Sequence, residues 1–509
     1  MTPFLGFRSW LAAGPRNERV LAGVAASLVL ALLAWASVPG SPGGSRSSEA
    51  LTSAAAAPAP TKAAAGQAVR PVTPGPVAGT LVRDPALTGG VPGAPGTPAR
   101  TGPQTGPAAS GCAAGATDQG VTATTVLVGV SLPDLGSLGA AFNVPTVAQQ
   151  QKAWDAVFAV YNKAGGVQCR RIVAKYYSDD VTSSTAEHAT CLQMVQDKLF
   201  AVLQNFYFPE QSTCPAQNKL PNIWYIPPHT DQVNKYYPYI LSYQPDYDRL
   251  VRDYIRGAKQ LGWFEGHGKV GVLEGTCFPD LNHAIERELT AVGISSSQWE
   301  LFNYGCDPSA PSQPDKDTQA VLQFKRAGVT HVVSVAYGRS FSFSSVADGQ
   351  DYKAKYAVMD DGQVAGSNHS SANPTGAGFD GALAIAVSQL GEADSPGVRP
   401  SPATADCVRV MAAAGLPSPL SAGGAAYGSP CAGIKVFVAA ASHAAMLTRT
   451  SLAPGLAQVG RLDLSFPAGP GDFHDAGNPT GGGYWRPLRF DRSATCWRVA
   501  SATFQKGFA

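Results

Sequence analysis

The hydrophobic positions of this chain follow two alternating periods. Residues 124–130 (TTVLVGV) are a β-rich run that predicts a strand ending in a loop at Ser131-Leu132-Pro133-Asp134. Val147, Trp154, Val157, Phe158 and Tyr161 then fall on one face of a helix, which Gly165-Gly166 stops. Strands over 171–177, 200–204 and 222–226 follow, with a helix over 185–198. The alternation then repeats: helices over 250–260, 281–292 and 318–327, and strands over 269–273, 299–304, 330–335 and 356–359. Strands alternating with helices of this length build βαβ units and parallel sheets. Two such runs in series, about 100 residues each, predict two α/β lobes. Open parallel sheets bind ligands beyond the carboxyl ends of their strands, so the loops after the strands are where a site is expected.

The first 116 residues have a different pattern. Residues 20–38 (VLAGVAASLVLALLAWASV) form an uncharged run preceded by Arg8, Arg16 and Arg19. As a helix it would be about 28 Å long, enough to cross the hydrocarbon core with the N-terminus in the cytoplasm. Ala34-Trp35-Ala36 also reads as a signal-peptide cleavage site. Residues 1–38 are thus a signal peptide or a membrane anchor, and both readings export everything downstream, membrane-tethered or secreted. Residues 39–116 hold 13 of the 40 prolines, seven charges and no Phe, Trp or Tyr. Such a segment cannot bury enough apolar surface to offset its ordering entropy, and it reads as a disordered linker.

Composition changes with this division. The whole chain of 509 residues carries 38 basic and 36 acidic side chains, but residues 117–509 carry 30 and 33. A slightly acidic body argues against a nucleic-acid partner, which would require a basic excess. All aromatic residues after Trp35 begin at Phe142, so the folded core is expected within 117–509.

Several motifs in that body follow one order. Tyr161-Asn162-Lys163-Ala164 leads into Gly165-Gly166, then Arg171-Ile172-Val173 and the acidic loop Ser178-Asp179-Asp180. A helix carrying Cys191-Leu192-Gln193-Met194-Val195 precedes Asp197-Lys198-Leu199-Phe200-Ala201-Val202. In this order, over 120–509, the sequence resembles the leucine/isoleucine/valine-binding proteins, which are type I periplasmic solute-binding proteins. The resemblance implies an α/β fold of two Rossmann-like parallel sheets joined by three crossovers. It places the first lobe at 117–243 and 378–465 and the second at 244–377 and 466–509. It also implies a late helix over 381–389, a terminal strand pair around 487–504, and hinge closure around a small solute.

The nine cysteines include no C-x-x-C pair, which disfavours a zinc or redox site. Export makes disulfides the default. Proximity along the fold suggests Cys169–Cys191, Cys277–Cys306 and Cys407–Cys431, leaving Cys112, Cys214 and Cys496.

The resemblance directs attention to strand-end residues for the ligand. After the third strand, where the family presents small hydroxyl residues, the chain instead reads Asn205-Phe206-Tyr207-Phe208-Pro209. This departure suggests aromatic stacking in place of a carboxylate clamp. Thr230 could donate a hydrogen bond, and Phe278 and Tyr337 stand where the family often has aromatics. Asp360 and Asp361 stand where an acidic residue often meets a ligand ammonium group. Asp134 is read as a cleft-edge or capping residue.

Motifs for catalysis are weak. There is no G-x-S-x-G, H-E-x-x-H or P-loop, and no two histidines are spaced i, i+4. Gly376–Gly381 matches G-x-G-x-x-G but follows Asn373-Pro374 rather than a strand. Asn368-His369-Ser370 is a glycosylation sequon read as chance, and His331 is read as structural. The resemblance implies an extracytoplasmic binder of an amino-acid-like or small polar solute, working with an ABC permease, and the weak catalytic signals add the expectation of no enzyme activity, cofactor or metal. The rival readings are a tethered sensor or protein-interaction module with an altered ligand site, and an enzyme on the same scaffold.

Overall fold

The computed structural model describes residues 115–508, except 137–138, 140–143, 182, 204–212, 276–278, 306–313, 336–338, 361–363, 365–367, 370–374 and 422. The chain separates into two units, Met1–Thr97 and Pro98–Ala509, and every described residue belongs to the second. The expected membrane segment and linker lie outside the described residues. Among the described residues no helix is long and apolar enough to cross a membrane.

The first sheet contains β1 (Thr125–Asp134), β2 (Arg171–Asp180), β3 (Ala201–Leu203), β4 (Asn222–Trp224) and β5 (Ile240–Ser242). All are parallel, in the order β2-β1-β3-β4-β5. The connecting helices are α1 (Val147–Lys163), α2 (Ser184–Gln196), α3 (Cys214–Gln217) and α4 (Thr230–Tyr236). A capping box between Thr146 and Gln149 starts α1. β1 and β2 run further than expected: 131–134 and 178–180 are strand, paired as far as Asp134 and Asp180. Side-chain ties extend this ladder. Ser131 Oγ donates to Asp179 Oδ2 at 3.0 Å, and Ser178 Oγ donates to Asp134 Oδ2 at 3.2 Å.

The chain then crosses to the second sheet through α5 (Tyr247–Gln260), β6 (Lys269–Glu274), α6 (Pro279–Ala291) and β7 (Trp299–Asn303). It continues through α7 (Pro314–Ala327), β8 (Val329–Ser334), α8 (Arg339–Gly349), β9 (Lys355–Met359) and β10 (Leu383–Ala386). It returns for α9 (Pro402–Ala413), α10 (Ala425–His443) and α11 (Leu452–Val459). The small ladder β11 (Arg461–Leu462) with β12 (Gly471–Asp472) follows, then β13 (Tyr484–Asp491), β14 (Cys496–Val499) and β15 (Gln505–Lys506). The order is β14-β13-β10-β9-β8-β6-β7, with β15 on β13. The strands from β6 to β10 are parallel, and β13 and β14 are antiparallel.

The helix expected over 381–389 is therefore β10. Its run Leu383-Ala384-Ile385-Ala386 is buried on both faces, Leu383 and Ile385 in one cluster and Ala384 and Ala386 in the other. A short continuous apolar run does not separate a buried strand from a buried helix by periodicity. Its position between β9 and β13 decides for strand.

Each sheet is covered on both faces. In the first, Val126, Val128, Val130 and Leu132 of β1 pack with α1, α10 and α11. Tyr177, Cys191, Met194, Leu199 and Cys214 fill the opposite face. That arrangement corrects one cysteine pairing. Cys191 of α2 bonds Cys214 of α3, with Cα atoms 6.3 Å apart. Cys169 is in a different disulfide. It lies in the left-handed turn before β2, away from the cluster that brings Cys191 onto Cys214. The expected Cys407–Cys431 bond is present and ties α9 to α10. Cys277 and Cys306 lie outside the described residues.

Candidate ligand site and the inter-sheet crossings

Three segments link the two sheets, and they are hydrogen-bonded to one another. At the first crossing Asp246, fully buried, caps α5 by accepting from the Arg249 backbone N–H at 3.2 Å. Its Oδ1 also accepts from Thr230 Oγ1 at 2.7 Å. Its Oδ2 accepts from Asn478 Nδ2 at 2.8 Å and Thr480 Oγ1 at 3.3 Å. The backbone joins there too, because Ser242 N–H donates to Pro479 O and Gly481 N–H donates to Ser242 O. Gly481 sits so close that a Cβ would stand 2.3 Å from the Tyr243 carbonyl oxygen.

The second crossing leaves β10. Asp360, at the end of β9, accepts from the Val387 and Ser388 N–H groups, both at 3.0 Å. Burial pushes its carboxyl up, against the hydrogen bonds from Ser388 and Val387 and the pull of Arg486. Gln389 Nε2 donates to Leu464 O, and its Oε1 accepts from Thr404 Oγ1 at 2.6 Å. Thr404 Oγ1 in turn accepts the Phe466 N–H at 3.0 Å. Gln244 of the first crossing donates to Pro467 O at 3.2 Å. A Cβ at Gly469 would lie 2.0 Å from Val387 O, so the third crossing packs directly on the second.

An ion pair underlies this junction. Arg486 Nη1 lies 3.1 Å from Glu392 Oε1, and Arg486 Nη2 donates to Leu390 O at 3.2 Å. The Arg486 guanidinium stacks 4.5 Å from the Phe504 ring. Burial pushes the Glu392 carboxyl up to about 7 despite Arg486. Other buried carboxyls shift the same way. Asp179 rises to about 6 and Glu274 to about 7, each led by desolvation.

The structure places the two described residues of the expected ligand set in this junction. Thr230 spends its hydroxyl on Asp246, and Asp360 spends one oxygen on the second crossing. Thr230 opens α4, which follows β4 of the first sheet, and Asp360 follows β9 of the second. Asn205, Phe206, Tyr207, Phe278, Tyr337 and Asp361 lie outside the described residues. Asp134 accepts from the Gly136 N–H at 2.8 Å, a turn bond beside its tie to Ser178.

The G-x-G-x-x-G match is a 3-10 turn over Ala377–Phe379. Its amides are already used: Ala377 and Gly378 N–H donate to the Asp348 carboxylate. It offers no cradle for phosphate. His331 is buried against Trp263, and burial, Lys355 and His267 hold it down to about 4. A cavity of about 60 Å³ beside the second crossing touches Asn368, Gln389, Asp394, Leu420 and Phe466. It is far below the ~300 Å³ at which solute pockets begin.

Sequence reasoning missed Asp246, Gln389 and the Arg486–Glu392 pair. Asp246 had a signal, an acidic residue just before the apolar positions Tyr247, Leu250, Val251 and Tyr254. The ion pair joins residues 94 positions apart and leaves no local trace.

With this geometry in view, the chain has the fold of type I periplasmic substrate-binding proteins. No protein-family model matches the sequence, and no curated protein matches it. Solved structures do match in fold. A fatty acid ABC transporter substrate-binding protein from Thermomonospora curvata is 16% identical, with a TM-score of 0.55, covering 78% of this chain and 94% of its own. A solute-binding protein of an ABC transporter from Rhodopseudomonas palustris, in complex with p-hydroxybenzoic acid, is 14% identical (TM-score 0.55; 76% and 98% covered). A protein described as a possible leucine/isoleucine/valine-binding protein from Rhodopirellula baltica is 14% identical (TM-score 0.54; 74% and 97% covered).

Proposed function

We propose that this chain is an extracytoplasmic solute-binding protein that captures a small ligand by closing two lobes and presents it to an ABC permease. The observation that carries this reading is the junction at Asp246, Asp360 and Gln389. Three crossings run side by side there and are tied to one another by hydrogen bonds, so the two sheets are joined through a few short segments at one place, where a hinge would bend. The fold neighbours, all named as substrate-binding proteins, support it. Export of residues 1–38 as a signal peptide or anchor, with 39–116 as tether, belongs to the same proposal.

The ligand is read as a small polar or amino-acid-like molecule with an apolar face. Asn205, Phe206, Tyr207, Phe278 and Tyr337 supply stacking faces and polar edges. Asp361 supplies the acidic contact, because Asp360 is engaged by the hinge backbone. Catalysis is not part of this reading. Isothermal titration of Tyr337→Ala and Asp361→Ala against a compound bound by the wild type tests the site. Affinity should drop about tenfold or more for each, and unchanged affinity in both variants would reject it.

A further inference from the structure

Three donor side chains, two from turns and one from the edge strand β14, come close together. They are His369, Asp394 and Cys496, and one donor atom of each lies within 4.8 Å of the others. His369 Nε2 is 2.8 Å from Asp394 Oδ1. Cys496 opens β14, is buried, and is the free cysteine among the described residues. Nothing in the solute-binding reading uses any of the three.

The backbone around them is fixed. His369 N–H donates to Thr495 O at 2.7 Å. Asn368 Oδ1 accepts from Trp497 N–H at 2.9 Å, and its Nδ2 reaches Asp394 Oδ2 at 3.4 Å. The sequon amide is thus spent on holding this corner. Arg498 donates to the Asp394 carbonyl, and Ser395 Oγ accepts from Val499 N–H at 2.7 Å. His369 (φ +54°) and Thr495 (φ +51°) both adopt left-handed backbone, which non-glycine residues rarely do. Such strain persists where the surroundings over-determine it.

We propose that His369, Asp394 and Cys496 form a binding site for a divalent transition metal of the zinc class. An imidazole nitrogen, a carboxylate oxygen and a thiolate are the donor types that zinc takes, at about 2.0–2.3 Å. Around a tetrahedral ion such donors stand about 3.3–3.6 Å apart. The His369–Asp394 hydrogen bond must open by about half an ångström, and the thiol must approach by at most about 1.3 Å. The thiol proton leaves to solvent as the metal–sulfur bond forms. Solvent can reach the site beside His369, whose side chain is 37% accessible, so a water would complete the fourth position. The bound ion would bolt the 391–395 turn, which follows the second crossing, to the β13–β14 hairpin. No sequence motif could show this, since the ligands are separated by 25 and 102 residues.

Cobalt(II) titration of the oxidised full chain tests the site, because a cobalt–thiolate bond gives a charge-transfer absorption. The wild type should bind one Co²⁺ with that band, and excess Zn²⁺ should remove it. Cys496→Ser should abolish the band, and His369→Gln, at a partly exposed position, should weaken Co²⁺ affinity about tenfold or more. Circular dichroism of the metal-free variants checks that both remain folded. A wild type without a thiolate–cobalt band, a band that survives Cys496→Ser, or unchanged Co²⁺ affinity in His369→Gln would each overturn the proposal.

Discussion

Arg486 and Glu392 form an ion pair at 3.1 Å with 1% and 3% of their side chains exposed. Inside a protein such a pair is weak as a source of stability but costly to break from one side. Arg486→Met should therefore destabilise the fold by about 3–5 kcal/mol, because Glu392 is left buried without a counter-charge. The double change Arg486→Met with Glu392→Leu should recover much of that loss. Urea unfolding of the three proteins decides the matter. A single variant costing under about 1 kcal/mol would mean the pair is solvated.

Burial raises the carboxyls of Asp179 and Asp253 to about 6 and of Glu274 to about 7. In the unfolded chain these groups titrate near 4. Between pH 4 and 7 the folded protein thus holds more protons, so their contribution is full below about 4 and is lost as pH rises through 6 to 7. His331, held down to about 4, acts in the opposite sense. Its contribution is present above about 6.5 and is lost as pH falls toward 4. Melting temperatures from pH 5 to pH 8 should fall more steeply for wild type than for Glu274→Gln. Parallel curves for the two proteins would contradict the burial of Glu274.

Non-reduced peptide mapping should find Cys191 joined to Cys214 and Cys407 joined to Cys431. The first bond closes a span of 23 residues, so Cys191→Ser with Cys214→Ser should cost about 3 kcal/mol. Recovery of a Cys169–Cys191 peptide would show that the α2–α3 corner folds differently.

At Gly469 an added Cβ would stand 2.0 Å from the Val387 carbonyl oxygen. Gly469→Ala should force the second and third crossings apart and destabilise the protein by about 1–3 kcal/mol. It should also weaken binding of any ligand that requires closure. Chemical denaturation and titration calorimetry on the same variant read the two effects separately, and wild-type values in both would show that the crossings are not in contact.

The alternating strand and helix pattern made most of the two sheets legible, because helix and strand periods differ and the βαβ order follows from them. Three features were not legible, each for a physical reason. β10 is apolar on both faces, so Leu383–Ala386 carries no period to read. β1 and β2 end in Ser131-Leu132-Pro133-Asp134 and Ser178-Asp179-Asp180, whose turn-forming residues read as loops, whereas the parallel ladder carries both strands to Asp134 and Asp180. The roles of Asp360 and Thr230 depend on partners in other segments, Val387 and Asp246, that sequence spacing does not bring together. The order of motifs pointed to the correct fold because the fold depends on many weak positions, whereas the site depends on a few residues in loops.

If two lobes close on a small solute, binding changes the distance between them. Spin labels at Val160→Cys on α1 and Leu322→Cys on α7, both exposed, place one probe against each sheet. Electron–electron distances would be measured in the full chain with and without whichever of the standard amino acids raises the melting temperature. The bound ligand should shift and narrow the distance distribution to one closed state. A ligand that binds and leaves the distribution unchanged would contradict it.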